Sequence, residues 1–260
     1  MTKRIFAGIL TLALIPLARA QTTQPRLTFD VATIRPSQPG QLNGGIKPLP
    51  GGNGYTAQNV PVKLMISLMY KVPMRQLTGG PDWLDSEHYD IEAKADRAYS
   101  LDDLHIMFQN LLADRFHLKF HKEAREGNVY ALTIDKSGLK MKPDEAAPTD
   151  QNYNIPITFG SNGEAIGKRV PMQYLCWWLG DRLQSEHRPV IDKTGLTQTY
   201  DFTLQYAPDL PNDAQKQDPT LQNLPSLFDA LRQQLGLTLT PQKGPVDYFI
   251  IDHAEKPSDN

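Results

Sequence analysis

One series of landmarks occurs twice along this chain. Val60-Pro61 opens an apolar run. Tyr89-Asp90-Ile91 follows, then a helix start at Ser100-Leu101, then a strand ending in Leu132-Thr133-Ile134-Asp135. The order returns as Val170-Pro171, Tyr200-Asp201-Phe202, Ser226-Leu227 and Phe249-Ile250-Ile251-Asp252. A repeat of roughly a hundred residues is too long for a solenoid unit and points to a duplicated domain. It constrains architecture and leaves the chemistry open.

The N-terminus reads as an export signal. Lys3 and Arg4 precede a short apolar stretch, Ile5 to Leu17, and Ala18-Arg19-Ala20 has the small-residue pattern of a cleavage site. The mature chain is expected to begin at Gln21; an uncleaved anchor is the alternative. No other stretch is apolar enough to span a bilayer. Cleavage removes three of the 27 basic residues and none of the 29 acidic ones, leaving 24 against 29. That excess of acid argues against a nucleic-acid partner, which needs a basic face. Cys176 is the single cysteine, so no intramolecular disulfide can form, and its apolar helical setting predicts a buried thiol.

Phe29 to Ile34 alternates as a first strand, and Pro39 to Gly54 reads as loop. Tyr55 to Gln58 is a short strand. Asn59 is a candidate N-cap for a helix from about Pro61 to Val72, with Val62, Met65, Ile66, Met69 and Tyr70 on its core stripe. Tyr89 to Ala93 is a strand. Ser100, with Asp103 three residues on, caps a helix bearing Leu101, Leu104, Met107, Phe108, Leu111 and Leu112. Phe116 to Phe120 and Val129 to Asp135 read as a hairpin across a polar connection.

The second half repeats the order. Met172, Leu175, Cys176, Leu179 and Leu183 stripe one helix, and Ser226 starts another that ends at Gly236. Leu237 to Leu239 and Val246 to Asp252 read as a closing hairpin. Residues 207–224 are a polar, Pro-rich insertion read as a mobile loop. The expected class is α+β: two tandem duplicated units at 27–142 and 154–256, joined by a linker at 143–153, each a small sheet packed with two helices.

Two resemblances rest on these residues. Phe29-Asp-Val-Ala-Thr-Ile-Arg-Pro-Ser37, Gly79-Gly-Pro-Asp-Trp-Leu84, Leu111-Leu-Ala-Asp-Arg-Phe116, Val190-Ile-Asp-Lys-Thr-Gly-Leu196 and Asp252-His-Ala-Glu-Lys-Pro257 make the mature chain resemble a family of uncharacterised secreted proteins of soil acidobacteria. Related domains occur attached to membrane metallopeptidases of the antirepressor type. The resemblance implies location and fold, and no catalytic residue. Each half also resembles the short N-terminal domain of secretins and TonB-dependent receptors, through Ser226-Leu-Phe-Asp-Ala-Leu231 and Leu235-Gly-Leu237. The first half departs from that pattern, with Leu112-Ala-Asp-Arg-Phe116 in place of the glycine. Such domains bind proteins in the periplasm, so the resemblance implies binding rather than catalysis.

No familiar chemistry is spelled out. His117 and His121 share a strand face but lie about 13 Å apart, too far to meet one ion. Gly79-Gly80-Pro81 lacks the Lys-Ser/Thr of a phosphate loop. Asp90 and Asp201 recur at matching places, as do Asp135 and Asp252, which suits turn acceptors better than catalytic pairs. The aromatic residues say more. Tyr174, Trp177 and Trp178 lie beyond the core stripe of their helix, and Leu64 and Leu68 occupy the places matching Tyr174 and Trp178 in the first half. Either the two units pack there or a ligand or partner docks. Trp83 is a further candidate, as a lid on a core or a ligand platform.

The expected function is a periplasmic or secreted, non-catalytic binding or sensory module. Its partner surface would comprise Tyr174, Trp177, Trp178, Leu64, Leu68 and Trp83, and its partner would be another envelope protein. No catalytic residue, metal or cofactor is called for. The alternative is an envelope-associated hydrolase.

Overall fold

The structure, a computed structural model, describes residues 26–38, 40, 44–145, 155–160, 164–183, 186, 188–207 and 224–258. The export pattern, most of the expected linker and nearly all of the 207–224 insertion lie outside the described residues.

The first half runs β1 (Val31–Pro36), β2 (Gly45–Pro48), β3 (Gly54–Pro61), α1 (Val62–Tyr70), β4 (Leu77–Gly79), α2 (Trp83–Ser86), β5 (His88–Lys94), α3 (Leu101–Arg115) and β6 (Lys119–Ile134). The second runs β7 (Lys142–Pro143), β8 (Ile157–Phe159), β9 (Ala165–Pro171), α4 (Met172–Arg182), β10 (Val190–Asp192), β11 (Thr199–Leu204), α5 (Leu227–Ala230) and β12 (Leu237–His253). A π-turn, Leu231–Leu235, extends α5. The class is α+β.

The strands form three four-stranded sheets. One has the order β1-β5-β3-β2, and another the order β7-β11-β9-β8. Both are antiparallel throughout, with corresponding strands in corresponding places. Between Ala57 and Val60 the β3/β5 register shifts, and β9/β11 shifts between Tyr200 and Phe202. At these irregularities Asn59 and Arg169 adopt φ of 52° and 53°. Each donates its backbone N–H to an aspartate on the neighbouring strand: Asn59 to Asp90 at 2.8 Å, Arg169 to Asp201 at 2.9 Å. The recurrent Tyr-Asp pairs therefore anchor bulges. Asn59 is not the helix cap; Pro61 holds that position, with no side-chain cap bond.

The middle sheet, β10-β6-β12-β4, departs most from expectation. Neither expected hairpin, at 116–135 or at 237–252, forms. The polar residues 121–128 continue a single strand, as do residues 240–245, and β6 and β12 pair antiparallel from Lys119↔His253 to Ile134↔Leu237. Two strands that each look broken by charge satisfy one another's backbone groups, so neither needs a turn. Pro241 and Pro245 fall where β12 has no strand on its other side, a position that tolerates a missing N–H. Short parallel strands flank the ends: β4 joins Leu77 to Phe249, and β10 joins Val190 to Tyr130.

This ribbon serves two cores. One contains Val62, Met65, Ile66, Phe108 and Phe116, together with Phe249 and Ile251 from the far end of the chain. The other contains Leu175, Leu179, Leu231 and Leu237, together with Tyr130 and Leu132 from the first half. Equal counts from Phe120 along β6 and from Leu239 along β12 meet at Glu126 and Pro245, which face each other. A local two-fold relation therefore passes through the middle of the ribbon.

Several signals act as read. Ser100 and Ser226 each accept from the N–H three residues on and donate to that residue's carboxylate, Asp103 or Asp229. Gly236 ends the π-turn at φ 67°, where a Cβ would run into the Gly138 carbonyl. Other readings need correction. The supposed loop at 39–54 contains β2. Asp135 and Asp252 are not counterparts. With Leu132 matching Ile251, Asp252 falls level with Thr133, whereas Asp135 lies past β6 and accepts from Ser137 and Thr238.

Candidate ligand cleft between the two cores

The six residues singled out in the sequence do not form one surface. Trp178 is buried in the second core, edge-on to Tyr206 with centroids 6.1 Å apart and close to Phe159. Trp83 stacks on Phe116 at 6.3 Å and meets Tyr89 edge-on, so it covers the first core. Leu64 packs against that core. Leu68, Tyr174 and Trp177 come together, where α1 faces α4.

The helical stripes explain this division. On α4, Met172, Leu175, Cys176 and Leu179 face the second sheet, and Trp178 widens the buried face. Tyr174 and Trp177 are left pointing across to the first core, with their own rings 5.3 Å apart. Opposite them stand Tyr55 from β3 and His105 from α3. A cavity of about 60 Å³ lies between these walls, also touched by Ile46, Leu101 and Pro156. It adjoins a second of about 180 Å³, which shares His105 and Tyr174 and reaches Lys71 and Arg169. On the other side of Trp177 is a cavity of about 350 Å³, lined by Lys71, Gln76, Cys176, Asp192 and Asp247 among others.

Hydrogen bonding fails along this seam. Among the described residues, four buried side-chain nitrogens lack a partner: Arg75 Nε and Nη2, His105 Nδ1 and Trp177 Nε1. All belong to the junction. Arg75, from the first half, spans it by donating Nη1–H to the Gly180 carbonyl of α4 at 3.2 Å, and burial lowers its pKa. An unpaired buried donor costs about 1–3 kcal/mol, so a cluster of them marks a functional or strained place.

Burial dominates the electrostatics. His105 is 7% exposed, and desolvation, with a smaller contribution from Lys71, pushes its pKa down to about 4. Its ring is therefore neutral at pH 7, with Nε2 3.2 Å from the Tyr55 hydroxyl. Burial also raises Tyr55, and takes Tyr174 up to about 12. Cys176 is pushed up to about 12, mainly by burial, so its thiol stays protonated. The cations at the cleft mouth are paired: Lys71 with Asp102 at 3.1 Å, and Arg169 with Asp144 at 2.6 Å.

Elsewhere the candidates take structural roles. His121 pairs with Asp252 at 2.9 Å on the exposed ribbon, and His253 with Glu255 at 2.8 Å. No three His, Cys, Asp or Glu side chains among the described residues gather as a metal site would require. No helix among them is long and apolar enough to cross a membrane.

Sequence reading missed Tyr55, His105, Lys71 and Arg75. His105 gave one usable signal: an ionisable residue beside Leu104 and Phe108 on the apolar face of α3. The opposing wall arises only from tertiary packing.

The molecule is thus an α+β protein of two cores that share one ribbon, with an aromatic cleft on their seam. The chain belongs to the family described as protein of unknown function DUF3738, whose model matches residues 63–254. No curated protein and no solved structure matches it.

Proposed function

We propose that this protein is an exported, non-catalytic binding or sensory module of the bacterial cell envelope, with the seam cleft as its ligand site. One observation carries the reading: His105 Nδ1 and Trp177 Nε1, both buried without partners, belong to residues that line the cleft with Leu68, Tyr174 and Tyr55. A largely apolar cleft with a few convergent polar groups is the common form of a small-molecule site. The Lys3/Arg4 start and the Ala18-Arg19-Ala20 pattern support export to the periplasm or beyond, with cleavage before Gln21. The resemblance to secretin-type short domains supports an envelope protein as the downstream partner. We also read the two halves, near 27–142 and 154–256, as products of duplication; the matching sheet orders and paired Ser caps support that.

The test is a melting-temperature screen of the mature protein against peptidoglycan fragments, envelope lipids, oligosaccharides and small ring compounds, with mass analysis of each compound afterwards. A compound that raises the melting temperature and is recovered intact supports a binding module. Turnover of any of them would replace it with an envelope hydrolase.

A further inference from the structure

We propose that the seam cleft takes a flat, uncharged ring compound carrying a hydrogen-bond acceptor, held between the Tyr55/His105 wall and the Tyr174/Trp177 wall. The proposal rests on the binding-module reading and names the chemistry of its ligand.

Shape comes first. Aromatic side chains stand on both walls, and the two adjoining cavities of about 60 and 180 Å³ suit one or two fused rings. Stacking on aromatic faces favours a flat occupant.

Hydrogen-bond polarity follows from the residues. The Trp177 indole nitrogen can only donate. For His105 the assignment turns on Tyr55, whose buried hydroxyl has the His105 Nε2 as its hydrogen-bond partner. A buried phenol needs an acceptor for its proton, so Tyr55 donates to Nε2. The neutral imidazole then carries its own proton on Nδ1, the nitrogen without a partner. Both open positions are therefore N–H donors, and both call for acceptors such as carbonyl oxygens or ring nitrogens.

Charge follows from the surroundings. The two cavities have no free cation to offer an anion: Arg75 is not among the residues lining either, and Lys71 and Arg169 are engaged by Asp102 and Asp144 at the mouth. A charged ligand would be desolvated without compensation. Neither open nitrogen reaches solvent, so binding requires the Tyr174/Trp177 side chains to shift from the Tyr55/His105 wall.

The experiment uses ¹⁵N-labelled mature protein. Its three indole N–H signals are assigned with Trp83→Phe and Trp178→Phe variants. Coumarin, which is flat, neutral and carries a carbonyl acceptor, is titrated beside naphthalene, which has the shape without the acceptor, and 2-naphthoate, which is charged. The expected result is a saturable downfield shift of the Trp177 signal with coumarin and none at Trp83. Naphthalene and 2-naphthoate should bind at least roughly tenfold more weakly, about 1.4 kcal/mol. Trp177→Phe keeps the ring and removes the donor, and should weaken coumarin by a similar factor. His105→Phe should do the same. An unmoved Trp177 signal at saturating coumarin, or equal binding of naphthalene, overturns the proposal. If other compounds bind intact while coumarin does not, this proposal falls and the binding-module reading stands. Hydrolysis of the coumarin lactone would overturn both.

Discussion

Single residues carry three separate predictions. Asp90 and Asp201 each hold the N–H of a residue at positive φ, a conformation that costs energy outside glycine. Asp90→Ala and Asp201→Ala should each lower stability by about 1–3 kcal/mol in chemical denaturation. Asp90→Ala should leave ligand binding in the cleft unchanged, because Asp90 and Asn59 line neither cavity. Cys176 is buried and its thiol protonated, so Ellman's reagent should react with it only in denaturant, and a fast native reaction would contradict that placement. His105 sets a pH dependence. Its folded pKa of about 4 lies below the ordinary 6.5, so the unfolded chain takes up a proton that the folded ring refuses. The stability tied to neutral His105 is complete above about pH 6.5 and is lost as the pH falls toward 4. The loss is at most about 3 kcal/mol. Lys71, Asp102, Tyr55 and Tyr174 all face this ring, and Asp102 alone favours its protonated form. The melting temperature should therefore fall more steeply from pH 7 to pH 4 in the native protein than in His105→Phe.

At the scale of elements, what could be read from the sequence and what could not separate along physical lines. Helices α1, α3 and α4 announced themselves because each buries one stripe against a sheet, and Ser100, Ser226 and Gly236 carry their own local chemistry. Strands β6 and β12 did not. The middle of their ribbon lies between the cores, so residues such as Lys122, Glu123 and Arg125 follow no buried alternation, and a long strand imitates a polar turn. Three-residue strands such as β4 and β10 leave too short a pattern to recognise. The cleft was half legible. Tyr174 and Trp177 stood out as apolar surplus on α4, whereas the wall opposite them depends on how the cores dock. The neighbouring tryptophans on α4 consequently differ in kind. Trp178→Ala should cost roughly 3–5 kcal/mol, as a large core truncation does. Trp177→Ala should cost clearly less, because it also removes an unpaired buried N–H, and its main effect should be on ligand binding. Thermal denaturation of the two variants side by side checks this.

At the scale of the whole molecule, the two halves cannot be treated as beads on a string. Phe249 and Ile251 lie in the core built by the N-terminal half, and Tyr130 and Leu132 in the core built by the C-terminal half. A protease site engineered between residues 145 and 155 should yield two pieces that elute together at the size of the intact protein. They should part only in denaturant. Separation under native conditions would mean that the ribbon contributes little to holding the molecule together. The same exchange sets an order on folding. The strand that completes the first core, β12, follows every other element of both halves in chain order. The N-terminal half must therefore wait, with part of its apolar surface uncovered, until the second half has emerged as well. Closure of both cores then becomes one shared event. A chain cut just before Phe249 would leave the first core unfinished, although all of that core's own helices would be present.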